Sequence, residues 1–122
     1  MTVPRSSNGL LDLPEPAMPG AKGHRARMRA RLLQAGPDAL ADHDMLEMVL
    51  YLALPRRDTK PIARTLMARF GSFAGAVAAP LTELRGIDGL GEAGAAALKL
   101  VHGAARRLTR EGLPEYYQDK GK

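Results

Sequence analysis

The sequence contains no cysteine and no tryptophan, and its aromatic residues are limited to three tyrosines and two phenylalanines. Without cysteine the chain cannot form a disulfide framework or a cysteine-based zinc finger, which is typical of proteins in a reducing compartment. The shortage of aromatic side chains argues against a stacking platform for single-stranded nucleic acid. No apolar run approaches the roughly 20 residues that a membrane span needs, and residues 1–20 carry prolines where a signal peptide has its apolar core. We therefore expect a cytoplasmic protein without a membrane span.

The sequence also offers few groups for catalysis or metal binding. Its three histidines, His24, His43 and His102, are far apart, and none belongs to a His-x-His pair. A catalytic zinc site uses about three protein ligands and a base. Asp42, His43 and Asp44 are adjacent, so they should point to different sides of a helix. We therefore expect no metal site, no cofactor and no enzymatic activity.

The apolar pattern divides the chain into three parts. Residues 1–22 hold four prolines and no periodic apolar pattern, so we expect a disordered tail there. Residues 23–110 carry apolar positions at helical spacing, and residues 111–122 have the composition of a linker or tail. No segment alternates with β-branched residues as a strand does. The predicted fold is all-α, a compact bundle of five or six short helices.

Proline, glycine and capping residues mark the ends of these helices. Asp58 or Thr59 should cap the third helix, and Gly71 should end it. Ser72 should cap the fourth helix, and Pro80 should stop it. The first, second, fourth, fifth and last predicted helices cover 22–34, 41–54, 73–79, 82–84 and 92–110.

Three glycines in six residues, Gly86, Gly89 and Gly91, interrupt the helical pattern just before the last helix. A glycine reaches positive φ without a Cβ clash, so Gly89-Leu90-Gly91 predicts a tight turn. Leu90 should point back into the core. The N–H groups of the turn and of the following helix would then face outward together, where they favour an anion such as a phosphate.

Six residues around this turn and four earlier stretches of the chain together form a pattern with a fixed order along the sequence. The pattern consists of Leu84, Ile87, Gly89, Leu90, Gly91 and Ala95, with 24–28 (HRARM), 36–40 (GPDAL), 54–61 (LPRRDTKP) and 70–73 (FGSF) before them. The turn and its flanks, at about 82–110, resemble the helix-hairpin-helix motif of proteins that bind DNA without sequence specificity. The wider stretch 24–108 resembles the N-terminal domain of the RadC family, historically called DNA repair proteins.

This resemblance implies a domain without catalytic residues of its own. RadC-like proteins carry a JAB/MPN-type domain after this one, and no segment of this chain matches its metal-site signature of histidines and an aspartate. We therefore expect the chain to be either a fragment or a natural short form. Its expected partners are double-stranded DNA, bound weakly and without sequence specificity, and a JAB/MPN domain that the chain itself lacks.

The charge distribution is compatible with a polyanionic partner. Lysine and arginine number 18 against 13 acidic residues, a net charge of +5. Basic residues gather at 25–31, at 56–64 and along the last helix. They would either contact phosphates or form a solvated face with their stems on apolar surface. The predicted DNA-binding residues are Gly86, Gly89, Leu90, Gly91, Arg85, Lys99, Arg106, Arg25, Arg27, Arg29 and Arg31.

One position favours a different role for the turn. Helix-hairpin-helix motifs that grip DNA often carry lysine or arginine just after the second glycine, where this chain has Glu92. A carboxylate there suits the helix dipole but repels a phosphate, so the turn could serve only packing. The alternative function is a protein-interaction or oligomerisation module that positions an attached metal-dependent hydrolase domain. Leu100 and Tyr51, expected to be exposed, would serve that role, while Tyr116 and Tyr117 would dock on the domain.

Overall fold

The computed structural model describes residues 21–117, and these form six α-helices and no strand. The helices are α1 Ala21–Ala35, α2 Asp42–Ala53, α3 Lys60–Phe70, α4 Phe73–Ala78, α5 Leu81–Arg85 and α6 Gly91–Glu111. Short 3₁₀ helices occupy Pro37–Ala39 and Glu115–Tyr117. The predicted all-α bundle of five or six helices is confirmed. The predicted disordered tail, 1–22, lies outside the described residues except for 21 and 22, which begin α1.

Local signals set several helix ends as predicted. Gly71 ends α3 in the left-handed conformation, with φ of 87°. Ser72 caps α4, because its Oγ accepts a hydrogen bond from the Gly75 N–H at 2.9 Å. At the start of α3, Asp58 Oδ1 accepts the Lys60 N–H at 3.2 Å. The α3–α4 junction is therefore determined largely by residues close to it in the sequence.

Helices α2 to α6 enclose the main core. The helix α2 packs against α3 and α6, while α4 packs against α3 and α6, and α5 packs against α6. Each fully buried leucine in this core contributes roughly 1.5–3 kcal/mol through removal from water. These leucines are Leu46, Leu50, Leu66, Leu84, Leu90 and Leu98.

Helix α1 lies outside this core and covers the opposite face of α2. Met28 of α1 is 1% exposed and packs with Met48 and Tyr51 of α2. The expectation that Tyr51 is exposed is wrong: its side chain is buried, and its hydroxyl donates to the Arg25 carbonyl at 3.3 Å. Tyr51 is buried because α1 packs on the face of α2 that carries it.

The last helix projects beyond the bundle. It is 21 residues long, about 31 Å, and every residue from 103 to 111 is exposed. Leu100 is exposed as expected, but Tyr116 and Tyr117 are exposed as well, so the expected docking of these tyrosines is wrong. None of the described helices combines the length and apolar character needed to cross a bilayer.

The contact between Leu90 and Gly94 gives a direct test of this packing. A Cβ added at Gly94 would lie 2.5 Å from Leu90 Cδ1, whereas one at Gly103 would meet nothing within 4 Å. We expect Gly94→Ala to lower the free energy of unfolding by about 1–3 kcal/mol through overpacking. The matched Gly103→Ala should raise it by up to about 1 kcal/mol, since alanine is the better helix former. Urea denaturation measures both, and equal changes would contradict the packing.

Candidate nucleic-acid interface

The turn between α5 and α6 has the shape that the sequence predicts. Gly89 and Gly91 adopt positive φ values of 85° and 69°, which disfavour any residue with a Cβ. Leu90 between them is fully buried, as is Leu84 before the turn. Gly86 has an ordinary φ of −83°, so its backbone does not require glycine. The two later glycines therefore make the turn, and Leu90 anchors it.

Several amides of the turn face away from internal acceptors. The Leu90 N–H donates to the Ile87 carbonyl at 3.2 Å. Within residues 21–117, the N–H groups of Gly89, Gly91 and Glu92 meet no hydrogen-bond acceptor, and Gly91 and Glu92 are exposed. The first amides of a helix are unpaired for geometric reasons, and the helix dipole adds partial positive charge there. The start of α6 can thus receive an anionic oxygen.

A chain of arginine contacts links α1 to this turn through the α2–α3 loop. Arg57 Nη1 donates to the Gly89 carbonyl at 2.6 Å. Arg25 in turn donates to the carbonyls of Arg57 and Pro55, the latter at 2.7 Å. Its guanidinium also lies 4.9 Å from the centre of the Tyr51 ring. Arg25 therefore holds the loop in place, and the loop carries Arg57 to the turn.

Glu92 and Arg85 form an ion pair across the turn. Arg85 Nε and Nη2 lie 3.1 and 3.3 Å from the two carboxylate oxygens of Glu92. Both side chains are more than half exposed, so the pair is screened by solvent. Close to the turn, the Glu92 carboxylate weakens the attraction of Arg85 for a phosphate, and Arg85 weakens the repulsion by Glu92.

Lys99, predicted as a phosphate contact, instead binds the end of α4. Its Nζ donates to the carbonyls of Ala79 and Val77 at 2.8 and 3.1 Å, and lies 3.4 Å from His102 Nδ1. A lysine at a helix C-terminus satisfies carbonyls that have no partner within the helix. The ammonium is thus directed at the backbone of α4.

The remaining predicted arginines are distributed over several surfaces. Arg31 lies at the far end of α1, where its Nη1 pairs with Asp44 Oδ2 at 3.3 Å. Arg27 and Arg29 are exposed on α1, and Arg106 is exposed on the projecting half of α6. The structure therefore places Arg85 at the turn, links Arg25 to the turn only through Arg57, and places Arg31 and Arg106 elsewhere.

Arg57 was not among the predicted DNA-binding residues, because the basic residues at 56–64 fit a solvated face as well as phosphate contacts. Loop and turn are 32 residues apart in the chain, and only tertiary packing brings them together. The sequence did place Arg57 in a connector between two helices, directly after Pro55 and Arg56, and this position was the available sign of a contact with another segment.

No protein-family model matches this sequence, and no solved structure gives a significant match. The resemblance to the RadC N-terminal domain therefore stays a prediction from the stretches named above.

The position of Lys99 leads to a stability prediction. We expect Lys99→Met to lower the free energy of unfolding by about 2 kcal/mol, because two carbonyls lose a charged donor while the apolar stem remains. Arg106→Met, a matched loss of charge on the same helix, should change it by less than about 0.5 kcal/mol. Thermal and urea denaturation compare the two. A weakened DNA affinity with unchanged stability in Lys99→Met would contradict the capping role.

Proposed function

We propose that this chain is a non-catalytic domain that binds duplex DNA weakly and without sequence specificity. The observation that carries the proposal is the group of amides at Gly89, Gly91 and Glu92, which have no partner within residues 21–117 and lie at the start of a 21-residue helix. A phosphate oxygen satisfies such amides and is favoured by the helix dipole. In this proposal α5, the turn and α6 act as the helix-hairpin-helix that the sequence resembles.

Basic residues near the turn support the same proposal. Arg57 contacts the turn, and the neighbouring Arg56 is exposed on the same loop. Arg85 pairs with Glu92 across the turn, so two guanidinium groups, those of Arg57 and Arg85, contact residues of the turn or of the first turn of α6. Contacts of this kind bind the DNA backbone and carry no sequence information. We expect a dissociation constant of roughly 10⁻⁴ to 10⁻⁶ M at physiological salt.

Glu92 opposes this binding and also offers the best way to test it. Its carboxylate lies in the first turn of α6, beside the amides that would receive the phosphate. Glu111 stands at the last position of the same helix, about 28 Å away at 1.5 Å per residue. Glu92→Lys and Glu111→Lys change the net charge of the protein equally, so a difference between them reports where DNA binds.

We expect Glu92→Lys to tighten duplex binding by at least about fivefold, equivalent to about 1 kcal/mol. It should also steepen the dependence of log K on log salt by about one, as one more phosphate contact does. Glu111→Lys should give a smaller gain. Fluorescence anisotropy with a labelled duplex, titrated from about 50 to 200 mM salt, measures both quantities.

Two results would count against the proposal. One is the absence of binding by the wild-type protein at about 50 mM salt, where nonspecific binding is strongest. The other is an equal gain in the two variants, which would show that total charge matters and that the turn does not.

A second function is favoured by the apolar side chains on and after the projecting helix. Leu100, Leu108 and Leu113 are at least half exposed. A protein partner that covered these leucines would remove their apolar surface from water. We propose, as the alternative, a protein-interaction or oligomerisation module that positions an attached hydrolase domain.

Light scattering on a sizing column distinguishes this alternative from DNA binding. If the projecting helix mediates self-association, Leu108→Glu should shift the oligomer to monomer, because it places a charge in an apolar contact. Leu33→Glu on α1 makes the same change at another exposed leucine and should leave the size unchanged. A wild-type protein that is monomeric and binds DNA would remove the case for self-association.

A further inference from the structure

Helix α2 groups three metal-binding side chains on one turn. Donor atoms of His43, Asp44 and Glu47 all lie within 4.8 Å of one another. His43 and Glu47 are four residues apart and share a helix face, and Asp44 turns toward His43 with Oδ1 3.5 Å from Nδ1. The sequence prediction of no metal site considered only the adjacent Asp42, His43 and Asp44. Glu47, one helical turn later, was not included.

The carboxylate of Glu47 is buried beside His24 of α1. Its side chain is only 5% exposed, and Oε1 is 2.9 Å from His24 Nε2 on α1. Among the described residues, no donor contacts Oε2. Burying a carboxylate is costly unless its oxygens are paired, so the second oxygen favours a positively charged partner.

A cleft gives an ion access to His43 and Glu47. It has a volume of about 450 Å³ and is lined by His24, His43 and Glu47 on one side. Lys60 and Arg64 of α3 line the other side. A cleft of this size leaves room for water or a small anion to complete a coordination shell.

We propose that His43, Asp44 and Glu47 bind one divalent transition-metal ion, with His24 as a positioning residue. His24 would donate its Nε2 hydrogen to Oε1 of Glu47 and so direct Oε2 at the ion, the kind of outer contact that orients metal ligands. One imidazole and two carboxylates suit Zn²⁺ and its neighbours better than Mg²⁺, which prefers oxygen ligands alone. Three protein ligands leave a position open toward the cleft.

The distances require only a small adjustment. Ligand atoms about 2.1 Å from a tetrahedral zinc ion are about 3.4 Å apart, so atoms within 4.8 Å must approach by at most about 1.4 Å. Nearby cationic side chains lower the affinity for a metal ion by electrostatic repulsion. Arg31 pairs with Asp44 Oδ2, and Lys60 and Arg64 line the cleft. The arginine uses Oδ2 and leaves Oδ1 of Asp44 beside His43.

Zinc titration of the full chain by calorimetry tests this site. We expect one Zn²⁺ per chain, and at least a tenfold loss of affinity in His43→Ala. His43 is 62% exposed, so its removal should leave the melting temperature in chelator unchanged. His102→Ala removes the remaining histidine outside the cluster and should bind zinc like the wild type. Zinc should raise the melting temperature of the wild type and of His102→Ala, but not of His43→Ala.

Two variants of His24 test whether it positions Glu47. His24→Ala should weaken zinc binding at least tenfold, whereas His24→Gln, which keeps an N–H donor for Glu47, should retain most of the affinity. Equal losses in the two variants would overturn the positioning role. The metal site itself would be overturned by absence of zinc binding, or by equal affinity in wild type and His43→Ala. No DNA is present in these measurements, so they stand apart from the test of the proposed function.

Discussion

The burial of Leu90 is the interaction on which the α5–α6 region depends. The side chain is fully buried in the main core, and positive φ values at Gly89 and Gly91 let the chain reverse around it. Gly94, one turn further along α6, leaves the space that Leu90 fills. With this leucine inside, the N–H groups of Gly89 and Gly91 on either side of it meet no acceptor within residues 21–117. The same contact that closes the core therefore creates the surface proposed to receive a phosphate.

Much of the positive charge near this surface stabilises the fold. Arg25, Arg57 and Lys99 each donate to backbone carbonyls at the end of a helix or in a loop. Hydrogen bonds from charged donors contribute more than neutral ones, and a carbonyl left without a partner is costly. The net charge of +5 thus overstates the number of cations that a DNA molecule would meet. This is a physical reason to expect weak binding that depends on a few groups.

The helix order was predictable because its signals are local. Gly71 ends α3 and Ser72 caps α4 through local backbone geometry and hydrogen bonding. The apolar spacing of α2 and α6 is likewise visible in the sequence without knowledge of the helices that pack on them. Features that depend on tertiary contacts were not predictable in this way. Tyr51 is buried only because α1 docks on α2, and Lys99 is directed at α4 because the chain returns to it 20 residues later. The contact between His24 and Glu47 was not predictable for the same reason, since His24 comes from another helix.

Backbone amide NMR can show whether the outward amides at the start of α6 contact a phosphate. A ¹⁵N-labelled protein would be titrated with a short duplex at low salt. The account predicts that the amide signals of Gly89, Gly91 and Glu92 shift first and most. Shifts confined to the projecting half of α6, with these three amides unchanged, would contradict it.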